Sequence, residues 1–286
     1  MNLTRRYFAA ALLASAPALR AAGGKLGGLK IGVTDWNLRM TSKPEAVEVA
    51  KRLGFAGVEV SLGRKIEGDK LPLDNPELIA RYREEFKKHD FRPAGTCLDV
   101  LHVNYLKNDK LGQKWVIDGI RITKELGAKV MLLPFFGKGA LDTQQAKDYV
   151  GDVLADIAPQ AEKAGIILGL EDTISAEDNV RIVERTRSKA VLTYYDIGNS
   201  TGNGFNVTRE IEWLGKKRIC RLHFKDNPGY LGDGKINLAD VMRAVSRIGF
   251  EGFANLETDS PSKVVESDMK RNLTYVRRVI DEVKRG

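Results

Sequence analysis

Cysteine and histidine are both scarce in this chain. Among 286 residues there are two cysteines, Cys97 and Cys220, and three histidines, His89, His102 and His223. Two cysteines so far apart form neither a disulfide framework nor a zinc-finger spacing, which leaves core packing as their default role. Three histidines are too few for a histidine-rich multi-metal centre. A basic block is missing as well. The net charge is +8, but Arg5, Arg6 and Arg20 lie in a first segment of 22 residues that has no acid. Without those three, 43 basic residues face 38 acidic ones, spread along the chain. That pattern argues against a nucleic-acid partner. No apolar run is long enough to span a bilayer, so no stable membrane anchor is expected. Finally, the first strand-like segment is followed by "DWNLRMTSKPE" and not by a glycine-rich phosphate fingerprint, which weighs against an open dinucleotide-binding sheet.

The N-terminus, "MNLTRRYFAAALLASAPALRAAGG", is built differently from the rest. A twin arginine precedes a short Ala/Leu run and small residues, the order of an export signal. Thr4-Arg5-Arg6-Tyr7-Phe8 resembles the twin-arginine (Tat) pattern. Residues 1–22 are therefore expected to be removed, with cleavage after Ala18 or near Ala21 and Ala22, and the mature chain is expected in the periplasm or outside the cell.

From residue 29 onward one phrase recurs: an apolar strand, a polar loop, an amphipathic helix, a glycine. Strands are predicted over 29–36, 57–62, 92–99, 129–136, 166–172, 191–198, 218–225 and 252–259. Helical patterns between them end at Gly54, Gly127, Gly165 and Gly249, where a C-cap is expected. Strands alternating with helices pair in parallel through crossovers. Eight such units over 29–286 predict an α/β fold of one domain, a (β/α)8 TIM barrel.

In such a barrel the chemistry lies at the C-terminal strand ends. Strand five ends in Glu171, strand six in Asp196, and strand eight in Glu257, while strand seven carries His223. Each is one βα unit from the next, so four neighbouring strands are expected to raise one ligand-type side chain each, at similar height. Strand seven, "ICRLHFKDN", puts Arg221, His223 and Lys225 on one face and Cys220, Leu222 and Phe224 on the other. The first three are expected to line a wet mouth. Two glutamates, an aspartate and a histidine form a hard donor set that suits Mn, Mg or Co, with Zn also compatible. Three converging carboxylates would repel one another without a cation. Trp36, at the end of strand one, is placed to wall the pocket. His102 reads most simply as a surface or core histidine, and His89 as an exposed helix end.

The phrases "AKRLGFAGVEVSLG", "TKELGAKVMLLPFFG", "AEKAGIILGLED", "YYDIGN", "RLHFKD" and "LGDGKINLADVMRAVSRIGFEGFANLE" occur in an order that resembles the xylose isomerase-like TIM barrels, and among them the sugar phosphate isomerases and epimerases. The resemblance implies one divalent ion, Mn first, on Glu171, Asp196, His223 and Glu257, with Glu171 and Glu257 moving protons. It also implies substrate contacts for Lys225, in the His-x-Lys-Asp motif, and for Glu59, an inward acid on strand two. Asn199 stands where the ketose 3-epimerases place a substrate-binding histidine, and Gly229 where they carry an arginine. Asn199, Arg221, Lys225, Trp36 and Glu59 are the expected substrate-binding residues. The implied activity is isomerisation or epimerisation of a keto-sugar, phosphorylated or free, through an enediolate. A dehydratase using the same site and a non-catalytic sugar binder are the alternatives. The expected partner is a small carbohydrate, and a homo-oligomer is left open.

Overall fold

The computed structural model describes residues 26–66 and 68–286. The expected export signal lies outside the described residues. Eight strands form one closed, parallel barrel in sequence order: β1 (Leu29–Thr34), β2 (Val58–Ser61), β3 (Pro93–Cys97), β4 (Val130–Pro134), β5 (Ile167–Glu171), β6 (Val191–Asp196), β7 (Ile219–Phe224) and β8 (Gly252–Leu256), with β8 pairing β1. The (β/α)8 expectation holds. All eight predicted strands ran too far at their C-terminal ends. There the backbone leaves the ladder to form the loops that carry polar residues.

Around the barrel lie α1 (Ala46–Leu53), α2 (Pro76–Lys88), α3 (Lys110–Glu125), α4 (Gln144–Ala164), α5 (Ala176–Thr186), α6 (Ile197–Gly202), α7 (Val207–Arg218), α8 (Leu238–Arg247) and α9 (Val265–Arg285). Helix α8 shows why these segments are helical. Leu238, Val241, Met242 and Val245 recur at helical spacing, and all four are buried. Asn237 caps the start by accepting the N–H groups of Ala239 and Asp240. The chain leaves through Gly249 in the left-handed conformation. Burying each of the larger side chains contributes about 1.5–3 kcal/mol. Among the described residues no helix is long and apolar enough to cross a membrane.

The barrel interior is stratified. Its lower end holds Phe253, with Lys30 Nζ 5.6 Å and the Arg221 guanidinium 5.5 Å from the ring centre. The middle holds Glu59, Tyr194 and Asn255, fully or almost fully buried. Gly32 makes room for that layer, since a Cβ there would lie 2.1 Å from the Asn255 amide oxygen. One outward assignment, that of Cys220, needs correction. The register between β6 and β7 shifts, with Thr193 opposite Ile219 and Tyr194 opposite Arg221. Cys220 is the extra residue of this bulge, so strict alternation fails. It packs with Cys97, Val130, Leu132 and Tyr194 instead of facing the helices.

Candidate active site

At the C-terminal rim, Glu171, Asp196, His223 and Glu257 each offer one ligand atom, and these atoms all lie within 4.8 Å of one another. The four do not start level. His223 pairs with Asp196 on one side but with Asn255 on the other, so Glu257 sits one layer higher and reaches back down. His223 Nδ1 faces the acids, at 3.1 Å from Glu171, 3.4 Å from Glu257 and 3.7 Å from Asp196.

Each member is held by its own neighbours. Asp196 ends β6 and caps α6, with Oδ1 accepting the Asn199 N–H at 2.7 Å. Its Oδ2 is buried without a hydrogen bond and faces Lys225 Nζ at 2.9 Å as an ion pair. Glu257 Oε1 accepts from Trp36 Nε1 at 3.0 Å, and Oε2 accepts from Lys225 Nζ at 2.5 Å. Glu171 Oε1 accepts from Asn199 Nδ2 at 3.2 Å. Lys225 can lie across this rim because residue 198 is glycine; a Cβ there would sit 2.4 Å from the lysine Cγ.

The electrostatics are those of crowded charge in a dry place. Burial, with the charges of Glu171 and Glu257 adding to it, outweighs Lys225 and His223 and pushes the Asp196 carboxyl up to about 7. Burial acts on Glu257 too, but the charges of His223 and Lys225 override it and hold that carboxyl below the usual range. Burial opposes the charge of Lys225, yet Asp196 and Glu257 raise its affinity for the proton. The same contest, with Glu257, Glu171 and Glu59 as the anions, raises His223.

The expected substrate contacts separate. Trp36, Asn199 and Lys225 line a cavity of about 470 Å³ together with Glu171 and Glu257. Glu59 is not part of that lining. It lies beneath His223, where Oε2 accepts from Tyr194 Oη and Asn255 Nδ2, both at 2.8 Å, and meets His223 Nε2 at 2.9 Å. A carboxylate there fixes the ring so that Nδ1 faces the other acids, the arrangement of an orienting partner behind a metal-binding histidine. Arg221 is not brought to the rim. Its Nε donates to the Ala94 carbonyl at 3.0 Å, at the entrance of β3, and its guanidinium lies over Phe253.

The cavity also contains Thr41, Arg64 and Asp99, which the sequence reading passed over, and His102, which it placed at the surface or in the core. The signal was present, because Asp99 and Arg64 follow the ends of β3 and β2 as Asp196 ends β6. His102 lines the cavity and stacks on Phe136, with ring centres 6.0 Å apart. His89 caps the end of α2 and pairs with Glu85 at 3.1 Å.

A family model, the xylose isomerase-like TIM barrel, matches residues 47–279. The chain belongs to this family. Solved structures share its fold. An L-ribulose 3-epimerase superimposes with a TM-score of 0.74 at 16% identity, covering 90% of this chain and 96% of its own. The 3-keto-D-glucoside 4-epimerase YcjR from E. coli gives 0.70 at 16%, covering 87% and 99%. The IolI protein, solved with a zinc atom, gives 0.69 at 18%, covering 89% and 98%. At these identities the likeness carries the fold. In sequence, an uncharacterized protein of Methanocaldococcus jannaschii is 29% identical over 147 residues, which is 45% of this chain and 50% of that one. The chain thus spans half the length of that curated relative.

The donor set fits the divalent ion that the family resemblance implies. Four ligand atoms converge, three of them carboxylate oxygens, and Asp196 Oδ2 is buried and short of a hydrogen-bond partner. An ion would meet that oxygen and offset the repulsion of the acids.

Proposed function

We propose that this protein is a metal-dependent isomerase or epimerase of a keto-sugar. One observation carries the reading: four side chains from four consecutive βα units converge, and two of them, Glu171 and Glu257, line a cavity that can admit a sugar. A divalent ion on Glu171, Asp196, His223 and Glu257, Mn first by the family resemblance and Mg, Co or Zn by the donor set alone, would supply Lewis-acid polarisation of a bound carbonyl.

The protein's own groups supply the rest. Glu171 and Glu257 come from β5 and from the end of β8, so they approach a bound carbon from different directions. One removes the proton next to the carbonyl, and the other returns a proton to the opposite face. Glu257 is anionic at rest and thus ready to accept. Lys225 stays protonated and sits where negative charge develops on the substrate oxygen. Asn199 Nδ2 and Trp36 Nε1 keep the two glutamates aimed, and Trp36 walls the pocket.

The test is incubation of the manganese-loaded protein with hydroxyketone sugars in heavy water. Deuterium at the carbon beside the carbonyl, together with a second epimer, is expected. Loss of water would make the enzyme a dehydratase. Tight binding without exchange on any candidate would make it a sugar binder. Export to the periplasm rests on the Thr4-to-Phe8 pattern, and retention of an Arg5→Lys, Arg6→Lys variant in the cytoplasm is the check.

A further inference from the structure

The cavity above the four converging side chains extends well beyond them. From Glu171, Asn199, Lys225 and Glu257 it runs to Arg64, Asp99 and His102. Trp36 and Thr41 border it, as do the apolar Leu132, Pro134 and Phe136. A hydroxyketone bound at the first end would leave the second end for the remainder of a longer molecule. We propose that Arg64, Asp99 and His102 form a subsite for the uncharged polyol tail of the sugar, which makes the free sugar, and not its terminal phosphate, the substrate. This rests on the sugar-isomerase reading above.

The second end is built and not incidental. Asp99 Oδ2 accepts a hydrogen bond from Ser61 Oγ. That hydroxyl already accepts the Gly63 N–H at 3.1 Å, so its own hydrogen is directed to Asp99. Ser61 is fixed in turn. Its N–H donates to the buried Asp35 at 3.1 Å, Asp35 also takes the Ser42 N–H at 2.9 Å, and Ser42 Oγ closes back on the Ser61 carbonyl at 3.0 Å. A chain of four groups therefore holds one carboxylate at the cavity wall. His102 is equally constrained by its stacking on Phe136. Burial, and then the charge of Arg64, lower its affinity for a proton.

The chemistry of this set selects its ligand. A carboxylate accepts, a guanidinium donates, and a neutral imidazole does one of each. Neighbouring hydroxyls of a sugar each donate and accept, so they match. The Phe136 and Leu132 wall suits the C–H face of such a chain. A phosphate does not match: it brings more than one negative charge to a place that holds the Asp99 carboxylate and a single guanidinium.

The experiment compares long and short substrates. Proton exchange in heavy water is measured for manganese-loaded wild type, D99N and H102F with a panel of ketohexoses, their terminal phosphates and dihydroxyacetone, which carries the hydroxyketone alone. D99N is expected to lower kcat/KM on the ketohexose at least tenfold more than on dihydroxyacetone, mostly through KM, and H102F to follow in the same direction. Wild type is expected to prefer the free sugar to its phosphate at least tenfold. Equal losses on long and short substrates, or a preference for the phosphate, would overturn the subsite. Absence of exchange on every hydroxyketone would instead overturn the isomerase reading. In that event, calorimetric binding of the same ketohexoses and phosphates to wild type and D99N decides the subsite alone: tenfold weaker ketohexose binding by D99N upholds it, and unchanged or absent binding rejects it.

Discussion

Strand β7 carries Arg221 on its inward side and is followed at once by Lys225, and the barrel treats the two cations differently. Arg221 lies low. Its hydrogen-bond partners are the carbonyls of Ala94 and Cys220, and its plane rests over Phe253. Every one of those partners is neutral, so the guanidinium closes the lower end of the barrel as a fork of donors with an apolar face. Lys225 lies at the rim and pairs with the carboxylates of Asp196 and Glu257. There the charge itself matters, because it offsets part of the repulsion among three acids. One strand and the residue after it give a structural cation and a site cation. Depth along the strand decides which is which.

The sharpest way to break this comparison is to remove a carboxylate at the rim. E171Q or E257Q should keep the fold and lose about 10²- to 10⁴-fold in proton exchange, measured in heavy water. A loss below tenfold in both would mean that neither glutamate moves the proton. Beneath the rim, E59Q keeps an acceptor for His223 but removes the charge behind the ring. Manganese affinity, read by calorimetry, should fall about tenfold. Unchanged affinity would reduce Glu59 to packing.

At the lower end, R221M removes a charged donor that serves two carbonyls. About 2 kcal/mol of stability should be lost in chemical denaturation, while exchange per folded molecule stays within about threefold. A selective loss of turnover would return Arg221 to the active site. The smallest effect concerns pH. Burial, opposed mainly by the Ser61 hydrogen bond, pushes the Asp99 carboxyl up to about 6. Between its unfolded value, about 3.9, and that point the folded chain retains a proton that the unfolded chain has released. Wild type should therefore lose more stability than D99N as pH rises through this window, the other buried carboxyls such as Asp196 acting alike in both. The difference should grow by on the order of 1–3 kcal/mol across it. Parallel curves for the two proteins would show that Asp99 is not held in its protonated form.

Much of the fold was legible because its signals are local. Strand and helix periods, and glycines such as Gly249 after α8, report on a few residues at a time. The four converging side chains were legible for a related reason: each ends or nearly ends a strand, one βα unit apart. Cys220 was misjudged because a bulge between β6 and β7 adds a residue to one strand, and nothing in "RICRLHF" marks it. Asp99 and His102 were legible in principle, but "TCLDVLH" reads equally well as a turn and a surface histidine until the segment after β3 is seen to line the cavity.

Sequence alone determined the eight repeated units, the faces of the unbulged stretches of strand and the identity of the side chains raised at the rim. Only the tertiary structure decided their depth. It set Arg221 at the lower end, Glu59 under His223, and Asp99 in the wall of the cavity that Glu171 also lines. A period of two residues fixes which way a side chain points, whereas its height depends on how neighbouring strands are staggered around a closed barrel. That stagger is settled by long-range pairing and by the packing of the interior, which no short stretch of chain contains.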